Sequence, residues 1–293
     1  MEPYVLEKLK SIFREENPSS YIGEDDNANL SMGGVTVHCH IKDFDVEQVF
    51  QVMSGEDDTG WITKGNITVR CHIKGLDVAQ VFRTICRTQH ILSNRYQHVL
   101  ENVDIFLHDS LEELRQVGHD YSKHADWIAG IFDGRQVHIV STRDDGRQNG
   151  LYVLLTHELI HLAVCEMSGG KCPYWLDEGL AVHLSQNLPE AYRNTLQMAL
   201  LTDSILPLEV LETPLPPRTR ARERLLAYGQ VAAVAAYLVN RYGEQEIGSM
   251  IRLFGQDSIT NVMAHYELNY TLLKQKWKRY LTTGGVLARK GRV

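Results

Sequence analysis

The chain has 293 residues, a formal net charge of −7 at pH 7, and 43% hydrophobic against 23% charged residues. These values describe an ordinary folded chain, long enough to bury a sizeable core as one large domain or two packed lobes, and they exclude a low-complexity or collagen-like polymer. The acidic balance, with a pI near 6.0, argues against a general nucleic-acid binder.

The first ten residues, MEPYVLEKLK, carry charges every few positions and lack the apolar core of a secretory signal. No uninterrupted run of about eighteen apolar residues stands out, so no membrane span is expected. Cys39, Cys71, Cys86, Cys165 and Cys172 are odd in number and scattered, which fits a reducing cytoplasm better than a disulfide framework. The expected location is cytoplasmic, with neither nucleic acid nor membrane as a partner.

An internal repeat follows. Residues 23–53 match residues 55–85 without a gap at a period of 32, most visibly VTVHCHIK at 35–42 against ITVRCHIK at 67–74. Alternating β-branched residues after Gly33-Gly34 and after Gly65-Asn66 predict a hairpin strand in each copy, and the Asp before each following apolar run predicts a helix N-cap. Two copies are too few for a solenoid, so the reading is two similar strand-helix units in one sheet-containing lobe. His38 and His40 share a strand face, but Arg70 stands where the second copy would repeat His38. An ordinary strand surface is preferred to a metal site there, and solvated turns to calcium loops at the two Gly-Glu-Asp-Asp segments.

Residues 77–100 have helical periodicity, residues 102–108 read as a strand, and residues 111–117 as a short helix. Residues 129–134 and a strand at 136–140 come next. Residues 151–164 lack Pro and Gly, and Leu154, Leu155, Leu159 and Leu162 recur at near-helical spacing, which predicts a mostly buried amphipathic helix stopped by Ser168-Gly169-Gly170.

On that helix His157 and His161 stand one turn apart and can address one cation from the same face. Glu158, about 100° round from His157, can reach a water on that cation without being a ligand. This H-E-x-x-H pattern is the zinc pattern, and the alternative is a pair of helix histidines with polar partners. The apolar setting weighs against that alternative, because unpaired imidazoles and a carboxylate are costly to bury. A catalytic zinc takes three protein ligands, and Glu178, seventeen positions after His161, is the third candidate. Cys172-Pro173 breaks the chain before it, Trp175 and Leu176 supply apolar anchors, and Gly179 would let this second helix approach the first closely.

The pair HELIH and WLDEGLA resembles the gluzincin zinc metallopeptidases, the thermolysin-like group, and more closely the small bacterial peptidase MA-like metallohydrolases. The motif residues lie within 156–181, and looser similarity extends from about residue 67 to the C-terminus. The spacing from His161 to Glu178 is a little shorter than in thermolysin-type enzymes. The resemblance implies an α+β, zincin-like fold: a mixed or antiparallel N-terminal sheet lobe with the active-site helix, then a mainly helical C-terminal lobe. The expected divisions are an N-terminal extension at 1–66 holding the first repeat copy, a catalytic lobe at 67–186 and a helical lobe at 187–293. It further implies an edge strand that pairs with extended substrate, for which residues 129–132 are the candidate, with a β-turn as the alternative.

Beyond residue 186 the pattern is helical at 189–202, Pro-rich at 206–217 and helical again at 225–242, ending at Gly243. Arg218, Arg220, Arg222 and Arg224 read as a solvated helix start in preference to a site for an acidic partner. Tyr228, in the sequence AYGQ, is by resemblance the candidate for hydrogen-bonding an oxyanion, against a core tyrosine satisfied locally; His265 is a weaker alternative for the same task. Asp177 either supports a histidine from behind or faces solvent.

The function expected is zinc-dependent hydrolysis of a peptide or protein substrate, with Zn²⁺ held by His157, His161 and Glu178 and with Glu158 as general base. The alternative is a cytoplasmic regulatory or protein-binding module that keeps the metal without turnover.

Overall fold

A computed structural model describes residues 27–32, 35–40, 53–54, 60–64, 67–71, 78–101, 103–108, 110, 112, 114, 130–133, 136–140, 148–185, 189–216 and 218–282. The Gly-Glu-Asp-Asp segments, the helix expected in the first repeat copy and most of the helix expected at 111–117 lie outside the described residues. The chain divides into two compact units, one of them Asn17–Ala163 and the other containing Val164–Val293.

In the first unit, strands β1 (Asn27–Met32) and β2 (Val35–His40) form an antiparallel hairpin whose last pair is Met32 with Val35. After β3 (Met53–Ser54), strands β4 (Gly60–Lys64) and β5 (Ile67–Cys71) form a second hairpin closed by Lys64 and Ile67. Two residues of the sequence separate the members of each closing pair, Gly33-Gly34 and Gly65-Asn66. A shift of 32 carries one hairpin onto the other to within a residue. The repeat is therefore a repeated hairpin. The two copies have different partners, because β1 and β2 form a sheet of their own while β4 and β5 belong to a six-stranded sheet.

That sheet has the order β3-β4-β5-β6-β8-β7, completed by β6 (Val103–His108), β7 (Gly130–Asp133) and β8 (Gln136–Val140). β5, β6 and β8 run parallel, and β7 runs antiparallel to β8 at the end of the order. Helix α1 (Val78–Tyr96) makes the crossover from β5 to β6. The core lies on β6, β8 and α1, where Ile105, Leu107, Val137, Ile139 and Val81 are fully buried. The buried Gln89 amide donates to Leu100 O at 2.9 Å and accepts from Leu100 N at 3.0 Å, satisfying both backbone groups of the chain leaving α1.

Helix α2 (Gln148–Ser168) contains the expected 151–164 run and stops at Gly169 and Gly170, whose φ angles of +60° and +74° suit glycine. Its apolar residues are not confined to one face. From Leu155 to Val164 every residue except Thr156 and His161 is buried, so α2 is a core helix enclosed on most sides, and the expected amphipathic stripe is absent. For the same reason Gly150–Ser168 is long and apolar enough, by length and composition, to cross a membrane. A buried core helix passes that test equally well.

The second unit is helical: α3 (Tyr174–Ser185), α4 (Glu190–Leu201), a 3₁₀ turn (Leu208–Leu211), α5 (Ala221–Tyr242), α6 (Glu244–Phe254), α7 (Ile259–His265) and α8 (Tyr270–Thr282). α5 is its axis, buried from Leu226 to Leu238 except at half-buried Tyr228, with small alanines that let neighbouring helices approach. It begins four residues before the expected 225. Arg220 and Glu223 pair at 2.7 Å, and Arg224 donates to Thr219 O, so Arg220 caps the helix, Arg222 and Arg224 lie in its charged first turn, and Arg218 precedes it. Gly243, at φ +88°, ends it as expected. A mixed sheet with its helices in one unit and a helical second unit make the fold α+β.

Candidate metal centre

Helix α2 presents Thr156, His157, Glu158 and His161. Thr88 on α1 bonds both Thr84 O at 2.9 Å and Thr156 Oγ1 at 3.4 Å, and Thr156 in turn donates to Tyr152 O at 3.1 Å. This fixes the turn of α2 immediately before His157. His157 is 8% exposed and Glu158 7%, a setting in which bare polar groups are expensive.

The Nε2 atoms of His157 and His161 lie 3.1 Å apart, their rings edge-on at 82°. Two nitrogens each ~2.0–2.1 Å from a tetrahedral ion stand about 3.3 Å apart, so the imidazoles already have the separation of adjacent ligands. Glu178 on α3 is 4% exposed. One ligand atom from each of His157, His161 and Glu178 lies within 4.8 Å of the other two, the one group of this kind among the described residues. Nitrogen and carboxylate donors at this separation fit a divalent metal ion.

Glu158 is held from the sheet side. A Cβ built on Gly130, in edge strand β7, would stand 2.7 Å from Glu158 Cδ and 2.8 Å from Cγ, so the carboxylate lies directly against that backbone. The segment expected at 129–132 as an edge strand or a β-turn is the strand Gly130–Asp133, bonded on one side to β8.

Glu178 is set by the start of α3. Pro173 O accepts from Leu176 N and Asp177 N at 2.9 and 3.1 Å, while Tyr174 N donates to Glu212 O at 3.0 Å. Trp175 and Leu176, the expected anchors, are fully buried. Gly179 makes its close approach to α5: a Cβ there would meet Ala235 Cβ and Val231 C at 3.0 Å. This corrects the expectation that Gly179 serves contact with α2, and the reason is that the small Val231–Ala235 stretch of α5 is the surface α3 lies on.

The same contact brings Tyr228, one turn before Val231, toward Glu178. Burial first, then the Glu178 carboxylate and the neighbouring Tyr228, push the Tyr174 hydroxyl far above the ordinary phenol range. The Tyr192 ring stacks on Tyr228 with centroids 5.4 Å apart and planes 12° from parallel. Its hydroxyl is pushed up by burial and then by Glu178, with Arg224 opposing. Gly229 permits the stack, because a Cβ there would meet Tyr192 C at 3.2 Å. Gln230 bonds both backbone groups of Leu206, at 2.9 and 2.8 Å, and so fastens the Pro-rich connector. Three residues of the AYGQ segment, Tyr228, Gly229 and Gln230, thus each have a definite contact.

His265, the other expected oxyanion donor, is exposed at the end of α7 with its ring against Tyr266. Burial first, and then the nearby Asp177 carboxylate, raise the thiols of Cys165 and Cys172. Tyr174 and Tyr192 were not singled out by sequence. Tyr174 carried a signal, its place one turn ahead of Glu178, whereas Tyr192 carried none that a linear pattern can show.

Two imidazoles and a carboxylate, with a glutamate beside them, are the donors found together among the described residues, a set that suits a divalent metal ion. A family model of the Peptidase MA superfamily matches residues 93–283, nearly two thirds of the chain, and the chain belongs to that superfamily. Membership supports a metal-dependent peptidase. The match takes in α2, α3 and Tyr228 and leaves out the duplicated hairpins. No curated protein and no solved structure matches the chain.

Proposed function

We propose that the protein is a zinc-dependent metallopeptidase of the gluzincin type. His157, His161 and Glu178 hold the ion, which when bound supplies Lewis acidity and lowers the pKa of water toward neutrality. The observation that carries this reading is the grouping of those three donors within 4.8 Å, next in sequence to a glutamate that is not one of them.

The chain's own residues perform the proton transfers. Glu158 takes a proton from the attacking water as its oxygen bonds the carbonyl carbon, then gives that proton to the amine nitrogen as the C–N bond breaks. Its carboxylate is buried against Gly130, which restrains it for both steps. The Tyr228 hydroxyl donates to the oxyanion as charge develops there. The outer edge of β7 offers backbone groups to an extended peptide, so the scissile bond is laid beside Glu158 by strand addition.

The test is hydrolysis of a library of internally quenched peptides, with metal content measured by elemental analysis. Wild type is expected to hold about one zinc and cleave a subset of peptides. Glu158→Gln is expected to keep the zinc and lose about 10²–10⁴-fold in rate, the usual range for a general base. A zinc-loaded wild type that cleaves nothing, or a Glu158→Gln variant at full rate, overturns the reading.

A further inference from the structure

We infer that Tyr270 and Glu212 are positioning residues for the metal centre: their side-chain hydrogen bond fixes the start of α3 and so sets how far along its axis the Glu178 carboxylate stands. This rests on the metal centre of the peptidase reading and adds two residues behind it.

Glu178 is the one donor of the group that α3 supplies, so its placement depends on where α3 begins. The contact of Gly179 with Val231 and Ala235 sets the distance between α3 and α5. A surface of small side chains has shallow ridges, however, and does little to stop a helix sliding along its own axis. The axial stop is at the first turn. Helix N–H groups point along the axis, and those of the first turn have no partner within the helix. Tyr174 N instead donates to Glu212 O at 3.0 Å. Glu178 follows Tyr174 by four residues, about 6 Å of helix, so a displacement of the Glu212 carbonyl is carried to the ligand.

The position of that carbonyl is set from α8. Glu212 ends the 3₁₀ turn Leu208–Leu211, whose backbone bonds are long, 3.3 Å from Val210 N to Pro207 O and 3.4 Å from Glu212 N to Glu209 O. Leu208 and Leu211 bury the apolar side of the turn. Its polar side is held by Tyr270, the first residue of α8, whose hydroxyl donates to Glu212 Oε1 at 2.6 Å, the length of a hydroxyl bonded to a carboxylate. Asn269 fixes Tyr270 in turn: its side chain accepts from Leu272 N at 2.9 Å and its carbonyl from Leu273 N at 2.8 Å. Metal–ligand distances tolerate only about 0.2 Å, so slack introduced at Glu212 is felt as lost affinity for the ion.

The experiment uses the full chain and zinc as the probe, its affinity read by competition with a chromogenic chelator at fixed pH, and urea unfolding run beside it. Tyr270→Phe is expected to weaken zinc binding by roughly tenfold, the low end for residues that support a ligand from behind. Glu212→Gln keeps an oxygen for the Tyr270 hydroxyl and is expected to stay within about threefold of wild type. Tyr242→Phe removes a comparable bond in the same unit, from Tyr242 to Tyr266 O at 3.1 Å, and is the control: it is expected to lower the urea midpoint and leave zinc affinity as in wild type. Zinc affinity unchanged by Tyr270→Phe overturns the inference, and so does equal weakening in Tyr242→Phe or in Glu212→Gln, while zinc uptake by wild type leaves the metal centre standing. A wild type that takes up no zinc overturns both.

Discussion

The Glu158 carboxylate fills the space that a side chain at position 130 would need, its Cδ 2.7 Å from where a Cβ would stand. Gly130 does not have a positive φ, so its backbone conformation suits any residue and the requirement for glycine is purely steric. Gly130→Ala should therefore displace the proposed base and leave the metal donors alone. Displacements of about 1 Å at a reacting group cost roughly 10²-fold, and that loss is expected in kcat/KM, with zinc content as in wild type. Gly130→Ala at wild-type rates would show that Glu158 does not need this seat.

Removal of the metal should be read in stability as well as in rate. An ion that binds only the folded chain stabilises it by about 2.7 kcal/mol at a concentration 100 times its Kd. Calorimetry with and without added zinc is expected to show a higher Tm in wild type and none of that gain in Glu178→Gln. The two imidazoles must be neutral to serve as ligands, so the gain should shrink as the solution is acidified. Equal gains in wild type and Glu178→Gln would remove Glu178 from the ligand set.

The two α2 donors of the candidate site were legible because they are local: His157 and His161 are a turn apart on one helix, whatever that helix packs on. The second strand of each hairpin was legible from its alternating β-branched residues, whereas its partner, Asn27–Met32 or Gly60–Lys64, was not. Glu178 needed only a loop length. What escaped the sequence depended on contacts between helices. Gly179 was assigned the wrong neighbour because no pattern says which helix lies against an α3 glycine. The Tyr192–Tyr228 stack depends on Gly229, which lets the Tyr192 backbone of α4 lie close against α5. The missing stripe on α2 has the same origin, since a helix enclosed on most sides loses the polar face that periodicity looks for. α5 began early because arginines lose little in a helix.

Gly179 and Gly229 predict separable effects. At each, a Cβ would press on neighbouring backbone, from Val231 and Tyr192 respectively, and backbone gives way less easily than a side-chain end. Overpacking of this kind costs about 1–3 kcal/mol. Gly229→Ala should disturb the Tyr192–Tyr228 stack and leave zinc content intact. Gly179→Ala, next to a ligand, should lower both stability and zinc affinity. Urea unfolding and a zinc-competition titration distinguish them, and identical behaviour of the two variants would contradict the assigned contacts.

The thiols beside Asp177 give a last prediction, on pH. Burial and then the Asp177 carboxylate raise Cys165, and the same causes raise Cys172 well above its ordinary value against a hydrogen bond from the Asp177 backbone. A thiol with a raised pKa holds less thiolate at any given pH, and thiolate is the form that reacts. Alkylation by iodoacetamide at pH 8 should accordingly be slower at both residues than at a free cysteine, and should rise with pH through the shifted value. The same sign makes these thiols favour the folded state below the unfolded thiol pKa of about 8.5 and withdraw that contribution as pH rises through the folded value. Asp177→Asn removes the second cause at each thiol and leaves burial, with the Glu166 carboxylate as well at Cys165, so peptide mass spectrometry should find labelling at pH 8 faster than in wild type and still slower than at a free cysteine. Labelling of Cys172 at the rate of a free cysteine in wild type would mean that its sulfur is neither enclosed nor facing that carboxylate.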